Sequence, residues 1–233
     1  MALVGVLGGM GPLATVDFMH RVIRLTRARC DQEHLPMIVA NLTRTPDRSR
    51  AIIDGGADPL PALLDGIALL NRCGADVIAM PCNSAHHWYA RLREGSAAPI
   101  LHIADASVAA LPAGVRRVAV LATGGTLVSG FYQTALRARG FEPVIPGVAA
   151  QREIAACIAA VKAGRIDVSA RCLTRALATL ARRDVGVAVM GCTEIPIAAR
   201  ALRDAPFALV DSTQELARAT LAHAVERGWV RAV

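Results

Sequence analysis

VGVLGGMGPL, spanning Val4–Leu13, decides the fold. It reads as a short apolar strand, a Gly-rich turn and the start of a helix, with Pro12 at an early helical position. VAVLATGGTL, spanning Val118–Leu127, repeats that pattern 114 residues later. A second echo pairs DVIAMPC (Asp76–Cys82) with DVGVAVMGC (Asp184–Cys192), its cysteines 110 residues apart. Two echoes in one order at nearly one offset predict two similar lobes. Further apolar runs lie at Met37–Leu42, Ile100–Ile103 and Phe207–Val210. Helical patterns separate these runs at Leu13–Ala28, Pro59–Arg72, Ser84–Arg93, Val128–Arg139, Gln151–Ala163, Ser169–Arg182 and Ser212–Arg227. That alternation predicts an α/β chain with mainly parallel sheets flanked by helices. The boundary is read at Leu111-Pro-Ala-Gly114. The first lobe is then 1–113 plus 211–233, with the last helix returning to it, and the second is 114–210. Open α/β sheets carry their sites at the C-terminal ends of strands. Both Gly-rich turns and both echoed cysteines fall there, so facing lobes would gather them in one cleft.

Composition narrows the function. Of 233 residues 54% are hydrophobic and 19% charged, which excludes a disordered chain. The net charge is +7, but the arginines are scattered and aromatics make up only 3%, too few for base stacking, so no nucleic-acid partner is expected. No apolar stretch is long enough to span a bilayer, so no membrane association is expected. The chain runs straight into Val4-Gly5-Val6-Leu7 with no charged leader, so a cytoplasmic protein with reduced thiols is expected. The six cysteines include no CxxC pair, which argues against a metal site.

Cys82 and Cys192 each end a strand and precede polar residues that suit a helix N-terminus, Asn83-Ser84 and Thr193-Glu194. A thiol there faces free backbone N–H groups and the positive end of a helix dipole, which predicts a lowered pKa. Two such thiols across a cleft suit proton transfer at a stereocentre: one takes the Cα proton and the other delivers a proton to the opposite face. A cysteine-nucleophile hydrolase is the competing chemistry. It needs a His base, and the adjacent His86 and His87 diverge on a helix.

The turn at Gly9–Ala14 fits G-x-G-x-x-A, a weak dinucleotide signal, and is read here as a cradle of N–H groups for a carboxylate. The Thr123–Thr126 turn is its counterpart or an ordinary strand–helix connection. Arg44, Arg48 and Arg50 lie in a strand-end loop from which a guanidinium could grip a carboxylate, and spacing does not choose among them. The chain has 25 Arg and one Lys, Lys162, which is either a residue Arg cannot replace or a chance remainder.

These motifs, LGGMGP (Leu7–Pro12), PDRS (Pro46–Ser49), MPCNSAHHW (Met80–Trp88), LATGGT (Leu121–Thr126) and GCTEIP (Gly191–Pro196), resemble the cofactor-independent aspartate/glutamate racemase family, on its aspartate-racemase-like branch. The resemblance covers almost the whole chain. It implies two α/β lobes with the site between them, a homodimer, an amino-acid substrate and no cofactor. By position it implies Cys82 and Cys192 as acid/base thiols, Arg48 as the carboxylate grip and Lys162 as a substrate contact. Met10, Gly11, Asn83, Ser84, Ala85, Thr193 and Glu194 would line the substrate, with Thr123 and Thr126 as further candidates. Ser84 stands where the family commonly has Thr. Glu194 stands where glutamate racemases carry His, which favours aspartate. The expectation is an aspartate racemase that could also take glutamate. The rivals are another isomerase, racemase or decarboxylase of a small carboxylate, and a binding module without turnover.

Overall fold

The structure, a computed structural model, describes residues 2–230; residue 1 and residues 231–233, read above as part of the first lobe, lie outside the described residues. The first sheet holds β1 (Val4–Gly8), β2 (Met37–Asn41), β3 (Val77–Ala79) and β4 (Ile100–Leu101) in the order β2-β1-β3-β4. The second holds β5 (Arg117–Ala122), β6 (Glu142–Val144), β7 (Val187–Gly191) and β8 (Ala208–Asp211) in the order β6-β5-β7-β8. Every pairing is parallel. The two orders are the same, and the sequence echoes are the central pairs, β1 with β5 and β3 with β7. The two-lobed parallel α/β fold is as expected. The central strands β1, β3 and β7 are buried at every residue, as strands covered on both faces are.

The helices are α1 (Pro12–Leu25), α2 (Arg48–Asp54), α3 (Leu60–Arg72), α4 (Tyr89–Gly95), α5 (Ile103–Ala109) and α6 (Gly124–Ser129), then α7 (Phe131–Ala138), α8 (Val148–Lys162), α9 (Ile166–Ala181), α10 (Ile195–Ala199) and α11 (Ser212–Glu226). Leu7, Ile67, Ile78 and Leu92 form the core under α3 and α4. On the other face of that sheet Val4, Val6, Phe18 and Val77 pack with Leu216 and Leu221 of α11. Leu121, Ile154, Leu173 and Ala188 fill the space under α8 and α9. The opposite face joins Val118, Val120, Leu136 and Val189 to Ala104 and Val108 of α5. The two lobes are thus tied by exchange: α5 follows the first sheet and packs on the second, and α11 follows the second sheet and packs on the first.

Two of the predicted helices are divided. Gly130 adopts a left-handed φ of 72° and separates α6 from α7. Ser84–Trp88 is a 3₁₀ turn that hands over to α4. Strand β6, Glu-Pro-Val, is too short and too polar to read as an apolar run.

Candidate active site

Chain direction brings the C-terminal ends of β1, β3, β5 and β7 to one place. A small cavity of about 30 Å³ there is lined by Met10, Arg48, Cys82, Asn83, Ser84, Thr123, Lys162, Cys192, Thr193 and Glu194, all predicted from sequence, together with Asp47 and Ser49. That space holds a water molecule or two. Larger clefts, of about 620 Å³ beside Thr26, His34 and Trp229 and about 500 Å³ beside Arg44 and Arg72, contain no cysteine. Cys82 is 5% exposed and Cys192 is 6% exposed, one from each lobe.

Three predicted residues do not line the cavity. Ala85 is fully buried, and its backbone N–H points toward the Cys82 sulfur. Thr126 is fully buried, with its Oγ1 3.0 Å from Ser84 Oγ. Gly11 sits next to the cavity, where an added Cβ would come within 3.7 Å of Glu194 Oε1. Asp47 and Ser49 were not singled out from sequence, although both belong to the PDRS motif quoted for Arg48.

The thiols correct one expectation. Burial pushes both above the ordinary cysteine range rather than below it. For Cys82 the Arg48 guanidinium and the Ala85 N–H pull back part of that rise, while Glu194 adds to it. For Cys192 the Glu194 carboxylate raises the pKa further, against the Glu194 N–H and Lys162. The elements after the thiols are short: a 3₁₀ turn after Cys82, where the helical pattern begins at Ser84, and the five-residue α10 after Cys192. With such short elements, loss of water around the thiols outweighs the pull of the N-termini. The polar residues read as caps do other work. Thr193 Oγ1 donates to Glu194 Oε2 at 3.3 Å, and Ser84 Oγ sits 3.1 Å from Thr123 Oγ1. Cys192 Sγ donates to Glu194 Oε2 at 3.0 Å, so the second thiol holds its proton toward a carboxylate.

Arg48 opens α2 rather than sitting in a loop, because Asp47 Oδ1 accepts from Arg50 N at 2.9 Å and caps the helix. Its Nη1 donates to Thr45 O at 3.0 Å and Pro46 O at 2.8 Å, and Nη2 donates to Met10 O at 3.2 Å. Nε is buried with no protein partner. The Nε edge of the guanidinium is therefore not spent on a backbone carbonyl. Three backbone carbonyls aim it, which a Lys ammonium could not match in geometry.

The Gly-rich turns are less free than expected. Gly9 N donates to Thr15 Oγ1 at 2.9 Å, so that N–H is not part of a cradle. Gly9 has φ 91°, and a Cβ there would meet Leu42 N at 2.3 Å, so glycine is required for the turn to pass β2. Across the cleft, a Cβ on Gly125 would meet Ser49 Cα at 2.9 Å, so α2 rests on α6 through bare backbone. Ser49 Oγ donates to Thr123 Oγ1 at 3.1 Å over the same contact. Thr123 also accepts from Thr126 N, and so is an N-cap as well as a wall of the site. Lys162 is the last residue of α8 and reaches the Cys192 side.

His86 is not a base. Its Nε2 accepts from Ile103 N at 3.2 Å, which leaves the proton on Nδ1, 2.9 Å from Cys82 O. Burial lowers its pKa to about 3, so it stays neutral and braces the turn that carries Cys82. Among the described residues, no group of three His, Cys, Asp or Glu side chains could hold a metal ion, and no helix is long and apolar enough to cross a membrane.

The sequence model of the Asp/Glu/Hydantoin racemase family matches residues 7–220. The broad specificity amino-acid racemase RacX of Bacillus subtilis is 28% identical over 223 residues, 94% of this chain and 96% of RacX. Picrophilus torridus aspartate racemase superposes with a TM-score of 0.83 at 29% identity, over 96% of this chain and 94% of that one. Glutamate racemase RacE1 of Bacillus anthracis shares the fold at a TM-score of 0.73 and 18% identity, over 97% of this chain and 83% of that one. Two parallel four-stranded sheets with matched strand order, and a match that spans both cysteine motifs, place the chain in the Asp/Glu/Hydantoin racemase family of isomerases.

Proposed function

We propose that this protein interconverts L- and D-aspartate by proton transfer between Cys82, Cα and Cys192, with no cofactor. The observation that carries the reading is that one thiol from each lobe lines the same small cavity, among groups that can hold carboxylates. In the forward reaction a thiolate takes the Cα proton. The C–H bond breaks, an S–H bond forms, and the electron pair delocalises from Cα into the substrate carboxylate. The other thiol then gives its proton to the opposite face, and its S–H electrons remain as thiolate. The pair ends in the mirror protonation state, ready for the other enantiomer. Arg48 beside Cys82 favours a thiolate there, and Glu194 beside Cys192 favours a thiol. Once one proton has left, the pair is thus set for the enantiomer whose Cα–H faces Cys82. The cavity is too small for an amino acid, so α2 must lift from Gly124-Gly125 or the lobes must part to admit substrate.

Aspartate is favoured because its two carboxylates meet two cations, Arg48 and Lys162. The similarity to RacX supports a second reading, a broader specificity that includes neutral amino acids. Incubating the enzyme with each enantiomer of acidic and neutral amino acids, then resolving products by chiral chromatography, tests both. Mirror-image product from aspartate supports the reading. Turnover of other amino acids without aspartate supports the broader one, and no inversion of any of them ends both. The reading includes a homodimer, to be checked by light scattering.

The two cations carry a separate expectation. Arg48→Lys should lower kcat/KM for aspartate by about tenfold, mainly through KM, the loss of one charge-assisted contact. Lys162→Ala should weaken aspartate more than any neutral amino acid. Unchanged kcat/KM for aspartate in both variants would remove these residues from the substrate.

A further inference from the structure

Tyr132, on α7 of the second lobe, touches neither Cys82 nor Cys192 in the hydrogen-bond network, yet it reaches the residue beside each. Its hydroxyl donates to Asn83 Oδ1 at 2.6 Å, and Asn83 immediately follows Cys82. Its ring lies against Gly191, which immediately precedes Cys192: a Cβ on Gly191 would meet Tyr132 Cε2 at 3.1 Å. The other end of the Asn83 amide is also tied down. Asn83 Nδ2 donates to Ser212 Oγ at 3.1 Å, and Ser212 Oγ donates to Met190 O at 2.7 Å, on the strand that delivers Cys192.

The protons in this chain run one way, from phenol to amide to hydroxyl to carbonyl. The direction fixes which face of the amide points where. Tyr132 and Ser212 are fully buried and Asn83 nearly so, so no solvent competes for these bonds. Burial also raises the Tyr132 pKa, which keeps the hydroxyl a donor across the working pH range. The side chain of Asn83, expected from sequence to face the substrate, is thus held at both ends by protein groups.

We propose that Tyr132 is a positioning residue for racemisation, spanning from Asn83 to Gly191 and thereby setting the relative placement of the Cys82 and Cys192 thiols. This rests on the two-thiol reading above. Proton transfer to both faces of one carbon needs both sulfurs in line with Cα, and a displacement of about 1 Å can cost about a hundredfold in rate. A thiol that has drifted would still exchange the Cα proton on its own side but would fail to complete inversion.

Tyr132→Phe keeps the ring on Gly191 and removes the hydroxyl, with its short hydrogen bond to Asn83 and its longer 3.4 Å contact with Ser107 Oγ. The expected result is a kcat lower by about ten- to thirtyfold with KM changed less than about threefold. In D2O the ratio of α-hydrogen exchange to inversion should rise severalfold over wild type. Ser212→Ala, which frees the other end of the same amide, should act in the same direction, and the double variant should lose less than the product of the two single losses. If Tyr132→Phe does not fold, Ser212→Ala carries the same test. Wild-type kcat and exchange ratio in these variants, with only a lower Tm, would overturn the proposal and leave a purely structural bond. A wild-type protein that racemises nothing would fail the two-thiol reading instead. The rate of Cys82 alkylation by iodoacetamide, read by peptide mass spectrometry, then decides the positioning separately. A change of threefold or more in Tyr132→Phe supports it, and an unchanged rate overturns it.

Discussion

Replacing either Cys82 or Cys192 by Ser should reduce racemisation by at least about a thousandfold, because acid/base groups of this kind supply about 10²–10⁴-fold and a hydroxyl at neutral pH is a far weaker base than a thiolate. The substitution removes little volume and leaves Arg48 in place, so each variant should still bind substrate. The loss should therefore appear in kcat. Free enantiomers are equal in energy, so kcat/KM must fall equally in the two directions, and steady-state rates cannot say which thiol serves which face. Isotope exchange can. In D2O the wild type should place deuterium in the product during first turnovers while unreacted substrate stays protonated. The proton it gave up sits on one sulfur while the other delivers deuterium. Each Ser variant should keep slow exchange with one enantiomer only, and the two variants should differ in which. Substantial inversion surviving in either variant would rule out the paired-thiol mechanism.

The frame of this site was legible because it is repetitive. Val4–Leu13 against Val118–Leu127, and Asp76–Cys82 against Asp184–Cys192, correspond to the two central strands of each sheet, and a parallel α/β sheet leaves its strand ends only one place to carry a site. What the sequence could not carry was how deeply that place is buried. A local reading puts each thiol at a helix start and lowers its pKa; closure of one lobe on the other dries both sulfurs, and desolvation then exceeds the pull of two short N-termini. Arg48 was legible by position, but not its anchoring to three backbone carbonyls, which depends on where α2 lies. Tyr132 gave no signal. It sits on an ordinary amphipathic stretch 49 residues from Asn83, and only the packing of α7 on the second sheet and α5 brings its hydroxyl there.

Glu194→Gln should move the pH–rate profile of racemisation to lower pH in both directions. The carboxylate of Glu194 accepts the Cys192 proton at 3.0 Å, and its charge raises the thiol pKa. Removing a negative neighbour lowers that pKa, so Cys192 gives up its proton at lower pH than in the wild type. In the proposed two-thiol mechanism both directions of reaction use the same state, the one with a single proton between the two thiols. The rising limb marks loss of the first proton and the falling limb loss of the second. Both therefore shift the same way, whichever enantiomer is supplied. On the alkaline side the variant also lacks the charge-assisted hydrogen bond that aims the thiol, and kcat/KM there should fall by up to about a hundredfold. On the acid side the larger ionised fraction offsets part of that loss. Glu194→Asp keeps the charge and should keep the wild-type profile more closely. Profiles of kcat/KM for L- and D-aspartate, with ultraviolet titration of the thiolates in the absence of substrate, measure the shift directly. If the limbs stay where they were in Glu194→Gln, Glu194 does not control the proton on Cys192, and its role reduces to a wall of the cavity.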